Sequence, residues 1–166
     1  DFKTGQHFEK STIVANTSSS LSYMGGWNNV FGYVSLNGSV SQSVDNNSVI
    51  SFTAVCRQIC LYGVKDSIYG KMDVYVDGSH YTTIDLYNAT PVTNTLIFAI
   101  DFDTTREHSI KIMPAEKGDV INLDYISYIP ETEEEINANT DSLLYALIIP
   151  AVIAVALIGA AVADVV

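Results

Sequence analysis

The sequence predicts a mainly β fold, an antiparallel β-sandwich or jelly roll, followed by one C-terminal hydrophobic α-helix. Short stretches rich in β-branched and aromatic residues recur along residues 21–130 and are separated by Gly, Asn and Asp. No stretch before residue 131 shows the 3.6-residue periodicity of an amphipathic helix. Residues 143–163 carry no formal charge. As a helix they would extend about 31 Å at roughly 1.5 Å per residue, which matches the hydrocarbon core of a bilayer.

Length and charge limit the possible functions. The 166 residues allow one domain of ordinary size and one additional helix. Eight Lys and Arg against nineteen Asp and Glu give a net charge of -11. Because this charge repels phosphate backbones, the composition excludes nucleic acid as a partner.

The N-terminal region indicates a secreted or cell-surface protein. Residues 1–20 contain a β-branched run and predict an edge strand or an extended arm. The chain begins with Asp1 rather than Met, which is typical of a mature product whose signal peptide has been removed. Four N-glycosylation sequons favour an extracellular surface. Their acceptor residues are Asn16, Asn37, Asn46 and Asn88.

Two cysteines lie close together in the sequence. Cys56 and Cys60 follow the predicted strand 49–55, and the CLYGV segment that begins at Cys60 predicts another strand. In an extracellular domain this spacing predicts a small disulfide that closes a turn between the two strands. The alternative is a pair of free, buried thiols. A zinc site would need further Cys or His ligands nearby, and the sequence has none.

Several strands are predicted directly from alternation. Residues 71–77 alternate between apolar and polar side chains, with Met72, Val74 and Val76 on one face. Asp77-Gly78 is a strong hairpin signal, and it predicts a returning strand over 81–87. Further strands are predicted over three ranges. These ranges are 96–100, 108–113 and 120–129.

The C-terminal region contains a predicted acidic linker and the predicted hydrophobic helix. Residues 131–142 carry five acidic residues and no basic one, which predicts a solvated linker. For residues 143–166 three interpretations compete: a transmembrane anchor, a removable lipid-anchor signal, or the dry core of a filament or oligomer. The lipid-anchor signal is disfavoured because no polar spacer separates Ser142 from Leu143. Leu143 begins the segment, Pro150 predicts a kink, and Gly159 permits close helix packing. The expected partners are therefore other copies of the chain or a larger membrane assembly.

The middle of the chain resembles the galactose-binding-domain-like jelly rolls that occur as carbohydrate-binding modules and surface-protein ectodomains. The resemblance covers residues 20–130. It rests on Tyr62-Gly63 at a strand end, Val76-Asp77-Gly78 in a hairpin, His108 at the start of a strand and Asp124 in the last strand. It implies a jelly roll over 21–130 and glycans as possible partners.

Candidate ligand-binding residues follow from the chemistry of sugars. Sugar recognition combines aromatic faces with hydrogen-bonding side chains. The candidates are Trp27, Asn28, Tyr33, Tyr69 and Tyr87. For each of them cross-strand or core packing is the competing interpretation. Asp101, Asp103 and Glu107 carry the oxygen ligands that calcium favours, with an ordinary acidic loop as the alternative. No other cofactor is expected.

The sequence offers no catalytic constellation. His7, His80 and His108 have no nucleophile motif beside them, and His108 is interpreted as a structural residue. We therefore expect a non-enzymatic, glycosylated extracellular structural or interaction protein, anchored or polymerised through its C-terminal helix. The alternative is a membrane-tethered carbohydrate-binding module.

Overall fold

The computed structural model describes residues 11–130, which form ten β-strands and no α-helix. The predictions for residues 1–10, for the acidic linker 131–142 and for the helix with Leu143, Pro150 and Gly159 lie outside the described residues. Within 11–130 there is no helix with the length and hydrophobicity to span a bilayer. The strands are β1 Thr12–Ala15, β2 Ser22–Met24, β3 Trp27–Phe31, β4 Ser39–Ser43, β5 Val49–Lys65, β6 Lys71–Val76, β7 Ser79–Asp85, β8 Val92–Pro114, β9 Ile121–Leu123 and β10 Tyr125–Pro130.

The strands form two antiparallel sheets. The larger sheet has the order β1-β10-β5-β8-β6-β7, and β2 pairs with the first part of β5. The smaller sheet has the order β3-β4-β9. β1 pairs with β10 along Thr12 to Ala15 and forms one edge of the larger sheet.

The hydrophobic core contains the alternating apolar residues of both sheets. On β6, Met72 and Val74 are fully buried and Val76 packs against the core, which confirms the face predicted from alternation. Core side chains of β5 and β8 face the same interior. The largest fully buried members are Ile50, Ile59, Leu61, Met72, Leu86, Ile110, Ile112, Ile121, Leu123 and Ile126.

The hairpin between β6 and β7 turns at Asp77 and Gly78, as the sequence predicts. Their φ angles are 49° and 81°, and positive φ at both central residues is what a type I′ turn requires. The Asp77 carboxylate accepts a hydrogen bond from the backbone nitrogen of Ser109 on β8. The turn is thereby tied to the neighbouring strand as well as to its own hairpin.

The predicted disulfide between Cys56 and Cys60 is wrong. Both cysteines are free and buried within the single strand β5. Four residues of extended chain separate their Cα atoms by on the order of 12 Å, whereas a disulfide needs about 4.4–6.8 Å. A register shift between Cys56 and Gln58 also reverses the alternation, so Cys56 joins the core cluster and Cys60 contacts Gln58 instead.

The predicted strands 96–100 and 108–113 are parts of one long strand, β8. Cys56 of β5 pairs with Arg106, while Gln58 pairs with Asp101, so residues 102–105 of β8 lie opposite the single residue Arg57. This arrangement is a bulge of unusual width. The acidic residues that were expected in a loop between two strands therefore lie inside a strand.

The last predicted strand, 120–129, is divided at Asp124 between the two sheets. β9 pairs with β4 in the smaller sheet, and β10 pairs with β5 and β1 in the larger one. Asp124 is fully buried, its backbone nitrogen donates to Tyr62 O at 2.8 Å, and its carboxylate accepts from the Leu36 nitrogen at 3.0 Å. Asp124 therefore fixes the point at which the chain changes sheets.

Candidate functional site

A cleft of about 490 Å³ lies among β2, β3, β4 and the segment that follows β1. Strands of both sheets line it, since β2 belongs to the larger sheet and β3 and β4 to the smaller one. One wall is aromatic and the remaining lining is mostly polar. The lining residues are Asn16, Thr17, Ser18, Tyr23, Gly25, Trp27, Asn29 and Ser41.

The aromatic wall consists of Tyr23 and Trp27. Their ring centroids lie 5.5 Å apart with the planes at 76°, an edge-to-face arrangement. Trp27 is half-buried, and its Nε1 donates to Met24 O at 2.9 Å, which holds the indole in place. Burial raises the pKa of Tyr23, although a hydrogen bond with Ser41 opposes this, so the phenol stays neutral at physiological pH.

A glycine pair sets the angle between the two aromatic residues. Gly25 and Gly26 connect β2 to β3, and Gly25 has a φ of 83°. A Cβ at Gly25 would lie 2.7 Å from the Cα of Ser48. The Gly26 nitrogen donates to the Asp45 carboxylate at 3.1 Å. The turn is therefore restricted to glycine at position 25, and it connects the strands that carry Tyr23 and Trp27.

The polar part of the cleft centres on Asn16, which is 2% exposed. Its backbone nitrogen donates to Asp124 O at 3.0 Å and its backbone oxygen accepts from the Tyr23 hydroxyl at 2.6 Å. Its Nδ2 donates to the Ser41 hydroxyl at 3.3 Å. Its Oδ1 has no hydrogen-bond partner within residues 11–130. A buried acceptor left in this state costs about 1–3 kcal/mol.

The cleft suits a neutral, hydroxylated molecule with an apolar face. Apart from the Tyr23 phenol, no lining residue has an ionisable side chain. Thr17, Ser18 and Ser41 supply hydroxyl groups, and Asn29 supplies a carboxamide. The arrangement can provide stacking on one side and hydrogen bonds on the other.

The structure brings only one of the predicted sugar-binding residues, Trp27, to this cleft. Asn28 is exposed and, as the next residue along β3, points away from the face shared by Trp27 and Asn29. Tyr33 and Tyr69 lie together elsewhere, with ring centroids 6.3 Å apart. Tyr87 is exposed and does not line the cleft either.

Tyr33 and Tyr69 anchor the loop between β3 and β4. The Tyr33 hydroxyl donates to the Asp66 carboxylate at 2.9 Å, and the Tyr69 hydroxyl donates to Gln42 Oε1 at 3.1 Å. Burial, followed by the nearby Tyr33, raises the pKa of Tyr69 well above its ordinary value. These contacts describe a packing role, the alternative that the sequence left open.

The predicted calcium ligands do not form a metal-binding group in the described part of the chain. No cluster of three His, Cys, Asp or Glu side chains occurs there. The Asp101 carboxylate accepts from Gln58 Nε2 at 2.5 Å. Asp101 and Asp103 instead line a second, smaller cleft of about 240 Å³ beside the wide bulge. Its other lining residues are Arg57, Gln58, Phe102 and Ile129.

The four sequons differ in accessibility. Asn37 and Asn46 are exposed, and Asn88 is half-buried. Asn16 is buried and its Nδ2, the atom that a glycan would modify, is engaged with Ser41. The folded domain therefore buries the Asn16 side chain, and glycosylation at Asn37, Asn46 and Asn88 remains a prediction.

The sequence did not identify Asn16, Tyr23, Asn29 and Ser41 as members of one site. The segment SYMGGWNN contains a local signal, since two aromatic residues flank a glycine pair. Asn16 and Ser41 approach this segment only through strand pairing across both sheets. A single sequence gives no local pattern that predicts contacts of this kind.

Comparisons with known proteins give two curated relatives, while no protein-family model matches the chain. The chain is 32% identical over 134 residues to an A type blood α-D-galactosamine galactosaminidase of Flavonifractor plautii. It is 28% identical over 118 residues to an A type blood N-acetyl-α-D-galactosamine deacetylase of the same organism. These matches cover 80% and 71% of the chain but only 12% and 15% of the relatives.

Solved structures with a similar fold include a family 35 carbohydrate-binding module from Clostridium thermocellum. Its TM-score is 0.52 at 13% identity, and the match covers 69% of this chain and 96% of that module. An exo-β-1,3-galactanase from Phanerochaete chrysosporium gives a TM-score of 0.53 at 17% identity, over 72% of this chain and 29% of that one. The described residues therefore have a jelly-roll β-sandwich fold similar to that of this module, as the sequence predicted.

Proposed function

We propose that residues 11–130 form a non-catalytic glycan-binding domain and that the cleft bounded by Tyr23 and Trp27 is its ligand site. One observation carries the proposal: an aromatic wall faces a polar lining in a cleft of about 490 Å³. Pyranose rings have apolar C–H faces that pack on aromatic rings and hydroxyls that need donors and acceptors. The jelly-roll fold of carbohydrate-binding modules supports this proposal.

The proposed ligand is a terminal galactosamine or N-acetylgalactosamine residue of a larger glycan. Both curated relatives are named for α-D-galactosamine sugars. Because the chain spans 12% and 15% of their lengths, the similarity is that of one domain within a longer protein. We therefore assign the chain a role in holding such sugars rather than in converting them.

The proposed setting is outside the cell. The sequons at Asn37, Asn46 and Asn88 and the net negative charge suit an extracellular protein.

A second proposed role is self-association or membrane anchoring, and it rests on the uncharged segment 143–163. Removing residues 131–166 should then abolish sedimentation with membranes or large particles. Unchanged sedimentation would refute an anchor or assembly segment.

A glycan array probed with the full chain tests the principal proposal. We expect saturable binding to glycans that end in α-linked galactosamine or N-acetylgalactosamine, and weaker binding to those that end in glucose or mannose. Competition by the free monosaccharide distinguishes cleft binding from nonspecific adhesion. Failure to retain any galacto-configured glycan would refute the proposal.

A further inference from the structure

We propose that the cleft recognises the 2-acetamido group of an N-acetylhexosamine and that Asn16 Oδ1 accepts the hydrogen bond from its N–H. This inference rests on the proposed glycan-binding function and adds the functional group that the cleft selects. It begins from Asn16, a residue that lines the cleft and whose Oδ1 is a buried acceptor without a hydrogen-bond partner among residues 11–130.

The hydrogen bonds around Asn16 determine which side-chain atom remains available. The Ser41 hydroxyl has one proton and lies 3.1 Å from the Tyr23 hydroxyl and 3.4 Å from Asn29 Oδ1. Because the single Tyr23 proton is donated to Asn16 O, the Ser41 proton is used towards Tyr23 or Asn29. Ser41 Oγ therefore serves Asn16 as an acceptor, and Nδ2 of Asn16 donates to it at 3.3 Å. The carboxamide is fixed with Nδ2 towards Ser41 and with Oδ1 left to accept.

The backbone N–H of Asn16 cannot donate to this oxygen, because both backbone groups of the residue already have partners. Its N–H is bonded to Asp124 O, and its C=O is bonded to the Tyr23 hydroxyl. The residue is thus held at both backbone groups and at Nδ2. Because the site is fixed before a ligand arrives, a donor placed at Oδ1 gains a hydrogen bond with little loss of side-chain entropy.

Three sugar substituents can donate a hydrogen bond: a hydroxyl, an ammonium and an acetamido N–H. The cleft has no ionised carboxylate in its lining, so an ammonium would be desolvated there without a countercharge. A hydroxyl would satisfy Oδ1 but would use none of the remaining features. The acetamido group also has a carbonyl and a methyl group that require partners.

The cleft contains partners for both of these groups. The carboxamide of Asn29 and the hydroxyls of Thr17 and Ser18 are donors for a carbonyl oxygen. The edge-to-face pair of Tyr23 and Trp27 is an apolar surface for a methyl group. The indole N–H does not compete for the ligand because it is bonded to Met24 O.

Calorimetric titration of the full chain with three methyl α-glycosides tests the inference. The probes are those of N-acetylgalactosamine, galactose and galactosamine, which differ only at carbon 2. We expect the N-acetyl sugar to bind about tenfold more tightly than galactose, as one additional satisfied hydrogen bond predicts. Equal affinities, or tighter binding of galactosamine, would overturn the acetamido assignment and leave glycan binding intact. No binding of any of the three would overturn the proposed function itself.

Two variants provide a second readout. Asn16→Asp places a carboxylate at the position of the unpartnered Oδ1. Because a carboxylate attracts an ammonium group, we expect the binding preference to move from N-acetylgalactosamine towards galactosamine. Asn29 is exposed, so Asn29→Ala should fold normally and should weaken the N-acetyl sugar more than galactose. Thermal unfolding of both variants monitors the fold. If neither variant changes the ratio of the two affinities, the assignment is wrong, and Asn29→Ala decides this even where Asn16→Asp fails to fold.

Discussion

The imidazole Nδ1 of His108 lies 2.8 Å from Oδ2 of Asp77, a hydrogen bond that joins β8 to the turn between β6 and β7. His108 is 3% exposed and its ring stacks on Phe102 at a centroid distance of 3.5 Å. Arg106 donates to the same carboxylate oxygen at 3.0 Å. The sequence interpretation of His108 as a structural histidine agrees with these contacts, and its partner is the residue that makes the hairpin turn.

The Asp77 carboxylate should make the fold less stable in acid. Burial acts to raise its pKa, but hydrogen bonds from Ser109 and His108 and the charge of Arg106 outweigh it and lower the pKa. A lowered pKa in the folded state stabilises the protein above the ordinary aspartate pKa of about 3.9, and this contribution is lost as pH falls through the folded value.

The Asp77→Asn variant isolates that charge, because Asn also accepts the positive φ of this turn. We expect it to lose about 1 kcal/mol of unfolding free energy at pH 7, discounted for the exposure of the site. The loss should shrink towards pH 3. Urea unfolding at both pH values measures the difference, and a loss that is the same at both would contradict the account.

Asp124 should show the opposite pH dependence. Burial raises its pKa, while the hydrogen bond from the Leu36 nitrogen opposes the shift. A raised pKa gives stability that is fully present below the ordinary value of about 3.9 and is lost as pH rises through the folded value. Asp124→Asn keeps an oxygen for Leu36 without the charge. We expect the unfolding free energy of the variant to rise relative to that of the parent between pH 4 and pH 7. If the unfolding free energies of the two proteins, plotted against pH, run parallel, Asp124 carries no buried charge.

Gly63→Ala should destabilise the domain strongly. A Cβ there would lie 2.8 Å from Oδ1 of Asn122, whose carboxamide exchanges two hydrogen bonds with the backbone of Val64. Because Asn122 is fully buried, displacing it leaves polar groups unpaired at a cost of about 2–4 kcal/mol. Gly26→Ala is the matched control, since its Cβ would meet only ordinary contacts at 3.7 Å. Similar losses in chemical denaturation for both variants would show that the close approach to Asn122 is unimportant.

The two thiols should resist modification in the folded protein. Burial, followed by the charge of Asp77, raises the pKa of Cys56 to about 11, and burial also raises the pKa of Cys60. Thiolates are the reactive species, so iodoacetamide should leave the native protein unchanged and label both cysteines in denaturant. Intact mass spectrometry reads the result. A native mass that lacks two hydrogens and resists labelling in denaturant would instead indicate a disulfide.

Local patterns predicted the elements whose geometry is set within a few residues. Alternation identified the buried face of β6, and Asp77-Gly78 identified its turn. The register shift in β5 was not predictable, because pairing with β8 determines it rather than the residues around Cys56. The division of the last strand at Asp124 depends on contacts with Tyr62, which is distant in sequence.

The candidate site also combines a residue that local sequence pointed to with residues that only the folded chain brings together. Trp27 was a candidate because indoles suit sugar faces, and in the fold it begins β3 directly after the glycine pair. Asn16 was considered only as a sequon, since nothing in its neighbourhood shows that Ser41 and Asp124 will bury it. The orphan oxygen that defines the proposed specificity is a property of the folded chain.

The most direct test of glycan binding is the affinity of the Trp27→Ala variant for a galacto-configured sugar. Removing the indole deletes one half of the aromatic wall and should lower the affinity at least tenfold, because an aromatic contact of this kind contributes about 1.5 kcal/mol or more. Tyr87→Ala is the control, since Tyr87 is exposed outside the cleft. Saturable binding by the parent and by Tyr87→Ala, with loss in Trp27→Ala, is the predicted result. Undiminished binding by Trp27→Ala would contradict the assignment of this cleft as the sugar site.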